Sequence, residues 1–222
     1  MAGDLADVEY VVRTMATTAD DNEKYFGDLD AVVGDGDFGY SMARGFEVVL
    51  SGWDDFDRTD IATFLKKVAV TITSKIGGTS GPIWGTGFLR FAATVGDRSE
   101  VDGATLVAGL RAAAEGIMAR GKAELGDKTL LDALIPATDA LEQALAAGED
   151  PAAAFARTAR EAAEATKEMQ ARRGRASYTG ERSIGSVDAG AIAVAVMAEA
   201  IAAGWDSRQS AAPADRRNDQ ET

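Results

Sequence analysis

LADVEYVVRTMATTA, residues 5–19, sets how the rest of the chain is read. Leu5, Val8, Val12, Met15 and Ala19 return every three or four positions, which lines one side of an α-helix and does not fit the two-residue alternation of a strand. The same spacing resumes from Met42 to Leu50 and then through Ile61, Leu65, Val68 and Ile72. Trp84, Phe88, Phe91 and Val95 carry it on, as do Leu106, Leu110, Ala113 and Ile117. A sixth run, Leu130 to Leu145, contains Pro136, which predicts a kink or an irregular turn. A seventh, Pro151 to Arg173, has proline at its start and basic residues at its end. The last begins near Asp188, a residue suited to capping a first turn, and ends near Ala203. Alternating strand patterns are nearly absent.

Short connections between helices of this length predict an all-α, eight-helix antiparallel up-and-down barrel or bundle. The expected domain spans residues 1–203. Residues 204–222 are polar apart from Trp205 and are expected to fray. In an up-and-down order, alternate connections fall at one end. Those connections are LDAVVGDGDFG, SKIGGTSGP, GKAELGDKT and RRGRASYTGERSIGSVDAG, the glycine-rich stretches with unusual polar content. Their convergence is the strongest clue to function that the pattern supplies.

Composition narrows the chemistry. The 222 residues contain no cysteine and no histidine, which excludes disulfides, thiolate or imidazole metal sites and a histidine base. A net charge of −13 disfavours non-specific binding of nucleic acid, although a local divalent cation reverses the sign where a nucleotide would sit. The first residues lack a basic segment followed by an apolar run, and no apolar stretch is long enough to span a bilayer. The expectation is a soluble cytoplasmic protein.

Asp30, Asp35 and Asp37 crowd like charges into one short loop and need a cation from outside it. Oxygen-only ligands suit magnesium, manganese or calcium, and the spacing does not match a calcium-binding helix–loop–helix module. Three carboxylates would serve two magnesium ions gripping a polyphosphate; the same residues also make turns and caps. Gly78, Thr79 and Ser80 stand before a helix, where free amides and aligned peptide dipoles attract phosphate, though such a stretch also serves as a plain turn. Gly126 permits close approach, Thr129 offers a hydroxyl, and Leu130 would cover a nucleobase or join the core. Arg175 and Arg182 are candidate phosphate ligands through their planar forks, or partners for nearby carboxylates. Metal ligands, amides, hydroxyls and guanidinium together match phosphoryl transfer, in which positioning and charge neutralisation do most of the catalysis. The rival reading is a non-catalytic acidic helical scaffold with a glycine-rich docking face.

LDAVVGDGDFGYSMARGF, GGTSGPIWGTGFLR, GDKTLLDALIPA and RRGRASYTGERSIGSVDAGA resemble signature segments of the nucleotide-binding L subunit of dihydroxyacetone kinase, over about residues 5–203. The resemblance implies an eight-helix barrel with ADP or ATP at one end. It also implies two magnesium ions on Asp30, Asp35 and Asp37, phosphates at Gly78, Thr79 and Ser80, and the nucleoside near Gly126, Thr129 and Leu130. Arg175 is implied as the catalytic phosphate-side residue, and Asp188 matches a position that the family retains. The ketose is expected on a separate K-type subunit, which leaves this chain inactive as a sugar kinase by itself. One branch of the family keeps ADP bound and has it rephosphorylated by a phosphohistidine protein of the sugar phosphotransferase system; the other takes free ATP. Phe38 and Ser186 stand where the first branch has histidines, and Ala189 where it has proline, so the expected donor is ATP. Dihydroxyacetone is the first expected acceptor and erythrulose, or another four-carbon ketose, the alternative.

Overall fold

In the computed structural model, which describes residues 2–211, helices α1 (Leu5–Asp21), α3 (Phe38–Ser51), α4 (Ile61–Lys75) and α5 (Ser80–Val95) are followed by α6 (Gly103–Gly121), α7 (Leu131–Ala147), α8 (Pro151–Ala165) and α9 (Ala189–Ala211). Each packs on the next, and α9 returns to α1, so these eight close a ring around one core. Phe46 and Met42 of α3, Phe64 and Ile72 of α4, Leu131 of α7 and Ile192 and Met197 of α9 are buried at its centre. That burial, at roughly 1.5–3 kcal/mol per large apolar side chain, is the main force holding the ring.

A ninth helix, α2 (Glu23–Ala31), packs against α3 and α9 and was not expected from the spacing. The break falls at Asn22, whose backbone leaves helical geometry at φ −107°, ψ 16°, while its main-chain and side-chain amides both donate to Thr18 O, at 3.2 and 2.8 Å. Two residues at each of two sites form the described strands: β1 (Ala2–Gly3) pairs antiparallel with β2 (Val101–Asp102) ahead of α6.

Three other expectations need correction. α7 continues as one helix across Pro136, so no irregular turn stands there. α8 ends at Ala165 rather than Arg173, because buried Thr166 turns the chain: its hydroxyl donates to Ala163 O and accepts from the Asp188 amide. α9 does not stop near residue 203. Trp205 packs on Tyr10 with ring centroids 5.7 Å apart, and Arg208 Nε meets Asp7 Oδ1 at 2.9 Å. The remainder of the anticipated tail, 212–222, lies outside the described residues.

Aspartates define one end of the ring. Asp4, Asp60, Asp102 and Asp150 each accept first-turn amides of α1, α4, α6 and α8, all of which start at that end. The other end carries the glycine-rich connections. There α3 and α5 begin without a side-chain cap from Asp37 or Thr79.

Candidate nucleotide and metal site

The Asp30 loop forms because α2 and α3 come very close together. A Cβ on Gly39 would lie 1.9 Å from Glu23 O, and one on Gly34 only 2.2 Å from Asp30 Oδ1, so neither position accepts a side chain. Gly34 N donates to Asp30 O at 2.6 Å, closing the turn, and Phe38 N reaches Asp30 Oδ2 at 3.4 Å. One carboxylate oxygen from each of Asp30, Asp35 and Asp37 falls within 4.8 Å of the others. Asp35 and Asp37 are exposed and Asp30 is partly buried.

Arg175 crosses to this cluster from the segment between α8 and α9. Its Nη1 ion-pairs with Asp35 and lies 2.9 Å from Asp37 Oδ2. The first and fourth loops therefore meet, and a guanidinium occupies the place where the crowded carboxylates require positive charge. Arg182, the other arginine considered, forms no ion pair among the described residues.

The second loop adjoins the first: a Cβ on Gly77 would lie 3.2 Å from Ser41 Oγ on α3. Gly78 has φ +61°, and it and Thr79 are exposed. The Thr79 side chain does not turn back on the amides opening α5, so the positive end of that helix dipole is left facing the loops.

In the third loop, Gly126 has φ +93° and donates to Asp132 Oδ1 at 2.5 Å, while Thr129 N donates to Asp132 Oδ2 at 2.7 Å. Leu131 N in turn reaches Thr129 Oγ1 at 3.2 Å. The Asp132 bond to Thr129 N is one half of a capping box, and its sequence sign, Thr-x-x-Asp at 129–132, was available to be read. Leu130 is partly buried against the core, and a Cβ on Gly190 would sit 3.4 Å from its Cβ.

Asp188 caps α9 through Ala191 N at 2.7 Å. Burial pushes its carboxyl up to about 7; the Ala191 amide and Lys128 oppose the rise and Asp132 adds to it. Lys128 itself is buried, and loss of hydration lowers its pKa against the pull of Asp188. Its Nζ donates to the carbonyls of Met169, Ser183 and Ser186. Asp127 is buried as well. Burial disfavours its charge, yet Arg173 Nε at 2.8 Å and the Glu124 amide hold its carboxyl below the usual range. Lys128, Asp132 and Asp127 escaped the sequence reading because charged residues in a glycine-rich connection pass for solvated ones.

The side chains of Phe38 and Ser186 have partners of their own. The Phe38 ring packs on Phe26, with centroids 6.1 Å apart, and Ser186 Oγ donates to Ser183 O at 2.9 Å. No helix among the described residues is long and apolar enough to cross a membrane.

Residues 32–203 match the family model described as the DAK2 domain. The chain is 41% identical over 182 residues to the "PEP-dependent dihydroxyacetone kinase, ADP-binding subunit DhaL" of Escherichia coli K12, covering 81% of this chain and 87% of that one. It is 38% identical over 194 residues to the "L-erythrulose 1-kinase" of Mycolicibacterium smegmatis, covering 86% of this chain but 34% of the longer protein. The dihydroxyacetone kinase of C. freundii, solved with AMP-PNP and Mg2+, superimposes with a TM-score of 0.70 at 26% identity, over 87% of this chain and 33% of that one. With an all-helical ring, a loop-bearing end and these matches in agreement, the chain belongs to the DAK2 domain family.

Proposed function

We propose that this chain is the magnesium-dependent, nucleotide-binding subunit of a dihydroxyacetone-type kinase, passing a phosphoryl group to a short-chain ketose held by a partner subunit. The observation that carries the reading is the meeting of three carboxylates, an uncapped helix start and an arginine at one end of the ring. The donor set fits magnesium: oxygen only, solvent-accessible, and already drawing a cation in the form of Arg175. Asp30, Asp35 and Asp37 would hold two ions, and bound magnesium supplies charge neutralisation on the phosphate oxygens.

The protein's own groups do the rest. Gly78, Thr79 and Ser80 offer amides and hydroxyls to the phosphates, strengthened by the α5 dipole. Gly126, Thr129 and Leu130 border the nucleoside, on a loop that Asp132 holds in shape. Asp188 fixes the start of α9 beside them. Arg175 swings from the carboxylates to the transferring phosphoryl group, where its fork matches the equatorial oxygens. A docking partner suits the same end, because Val32, Tyr40, Leu125, Tyr178 and Ile184 are exposed around it, Tyr178 at 88%.

For the donor, we favour bound ADP rephosphorylated in place by a phosphohistidine protein. The E. coli relative, matched over most of its length, is named an ADP-binding subunit of a PEP-dependent kinase, which supports this reading above the free ATP expected from the sequence. ATP remains the second reading because neither Phe38 nor Ser186 presents an imidazole. The likeness to an erythrulose kinase keeps a four-carbon ketose as the alternative acceptor. To test the proposal, the purified chain is desalted and assayed for retained nucleotide, then mixed with the cognate ketose-binding subunit and either dihydroxyacetone or erythrulose. Retained ADP, with turnover only when a phosphohistidine donor is added, is the expected result. Many turnovers on ATP alone would establish the second reading, and absence of any nucleotide binding would leave the scaffold reading.

A further inference from the structure

The segment between α8 and α9 is an excursion of about twenty residues with only 3-10 turns in it, long enough that something must hold its course. It leaves at Thr166, carries Arg175 out to Asp35 and Asp37, and returns to Asp188. Its two limbs run close at the base, where Gly185 N donates to Lys167 O at 2.8 Å and Ala171 N to Ser183 Oγ at 2.8 Å.

Lys128 sits at that base. It is 2% exposed, and its backbone is left-handed at φ +63°, a conformation uncommon for a side-chain-bearing residue. The ammonium spends all three of its N–H donors on carbonyls: Met169 O at 3.1 Å on the outgoing limb, and Ser183 O and Ser186 O on the returning limb, the last at 2.6 Å. A buried cation saturated by backbone carbonyls is an expensive group to retain for stability alone, since its desolvation is offset only when every donor is used.

We propose that Lys128 is a positioning residue for phosphoryl transfer: it clasps both limbs of the excursion and so fixes where Arg175 stands over the metal-binding carboxylates. This rests on the function proposed above for Arg175. Without the ammonium, three carbonyls lose their partner, the limbs separate, and Arg175 reaches the site only part of the time. The residue touches neither the carboxylates nor any surface a ligand could contact, so it acts through Arg175.

The test compares Lys128→Met, Arg175→Ala and the double variant in the full chain, each first checked for a cooperative melt. Hydrogen exchange across residues 170–187 should quicken tenfold or more in Lys128→Met and stay unchanged elsewhere in the ring. With the ketose-binding subunit present, Lys128→Met should lower turnover at least tenfold while nucleotide affinity moves less than threefold. In the Arg175→Ala background it should lower turnover no further. Losses that multiply in the double variant, or exchange unaltered at 170–187, would overturn the proposal. If Lys128→Met does not fold, Lys128→Gln takes its place, keeping two donors. On the unmodified protein the Lys128 ammonium should give a slowly exchanging nitrogen–proton signal, and a rapidly exchanging one would count against the clasp. Should the chain transfer no phosphoryl group at all, the function fails while the exchange comparison still decides whether Lys128 holds the excursion.

Discussion

On the proposed function Arg175 and magnesium compete for the same carboxylates, so removing the arginine should tighten binding of the metal alone. In the free protein the Arg175 side chain is 53% exposed and its partners Asp35 and Asp37 are 46% and 54% exposed. Ion pairs with that much solvent around them are worth about 0.2–1 kcal/mol each. Two such pairs put the release on Arg175→Ala between about 0.4 and 2 kcal/mol, which is a gain of about two- to thirtyfold in affinity. The assay is calorimetric titration of Mg2+ or Mn2+ into nucleotide-free protein at low ionic strength. The gain should narrow in concentrated salt, where the screening length falls to about 3 Å. With nucleotide present the sign should reverse if the arginine moves to the phosphates as proposed. Equal metal affinity for the unmodified chain and Arg175→Ala at low salt would refute the idea that the guanidinium sits among the carboxylates.

Asp35→Asn keeps the size of a metal ligand and removes its charge; metal-dependent nucleotide affinity should fall at least tenfold, about 1.4 kcal/mol, and an unchanged titration would return these aspartates to a purely turn-forming role. Arg175→Lys should lower turnover more than nucleotide affinity, because an ammonium cannot reproduce the fork; a change in affinity alone would make Arg175 a ground-state ligand. Asp188 titrates near 3.8 when unfolded and near 7 when folded, so the stability it contributes is complete below the lower value and is lost as pH rises through the upper one. Melting curves without magnesium should therefore show Asp188→Asn losing less stability than the unmodified chain between pH 4 and pH 8, and parallel losses would contradict the burial argument.

The ring of helices was legible because the three–four spacing is a direct imprint of burial on one side of each helix. Asn22 shows where that signal ends: one residue out of helical geometry splits a helix without disturbing the apolar spacing on either side. Thr166 is a similar case, a short polar residue in an alanine-rich run whose hydroxyl turns the chain only because the Asp188 amide arrives to meet it. Such contacts join residues far apart in sequence and leave no local pattern. The loop end was readable for an electrostatic reason, since three carboxylates without a compensating cation nearby signal a missing partner. Of the two readings open for Arg175, phosphate ligand or carboxylate partner, the free protein displays the second, and the spacing could not say which aspartates it would reach. Lys128 and Asp132 were harder, because their charge is cancelled by backbone groups that no sequence pattern displays. Thr129-x-x-Asp132 was the one local sign of that arrangement.

The closure of the ring by α1 against α9 has a consequence for how other domains can be joined to it. Asp7 near the start of α1 meets Arg208 near the end of α9, so the described chain enters and leaves on one side, a full helix length from the Asp30 loop. For a helix of 16 residues such as α5 that length is about 24 Å. A further domain joined to either end must span that height before it can face the loops. An extended tether would need at least seven or so residues, at about 3.3 Å each. A shorter one would oblige each domain to serve the site of a neighbouring copy, so tether length alone would decide between a self-contained kinase and an obligate exchange between two molecules.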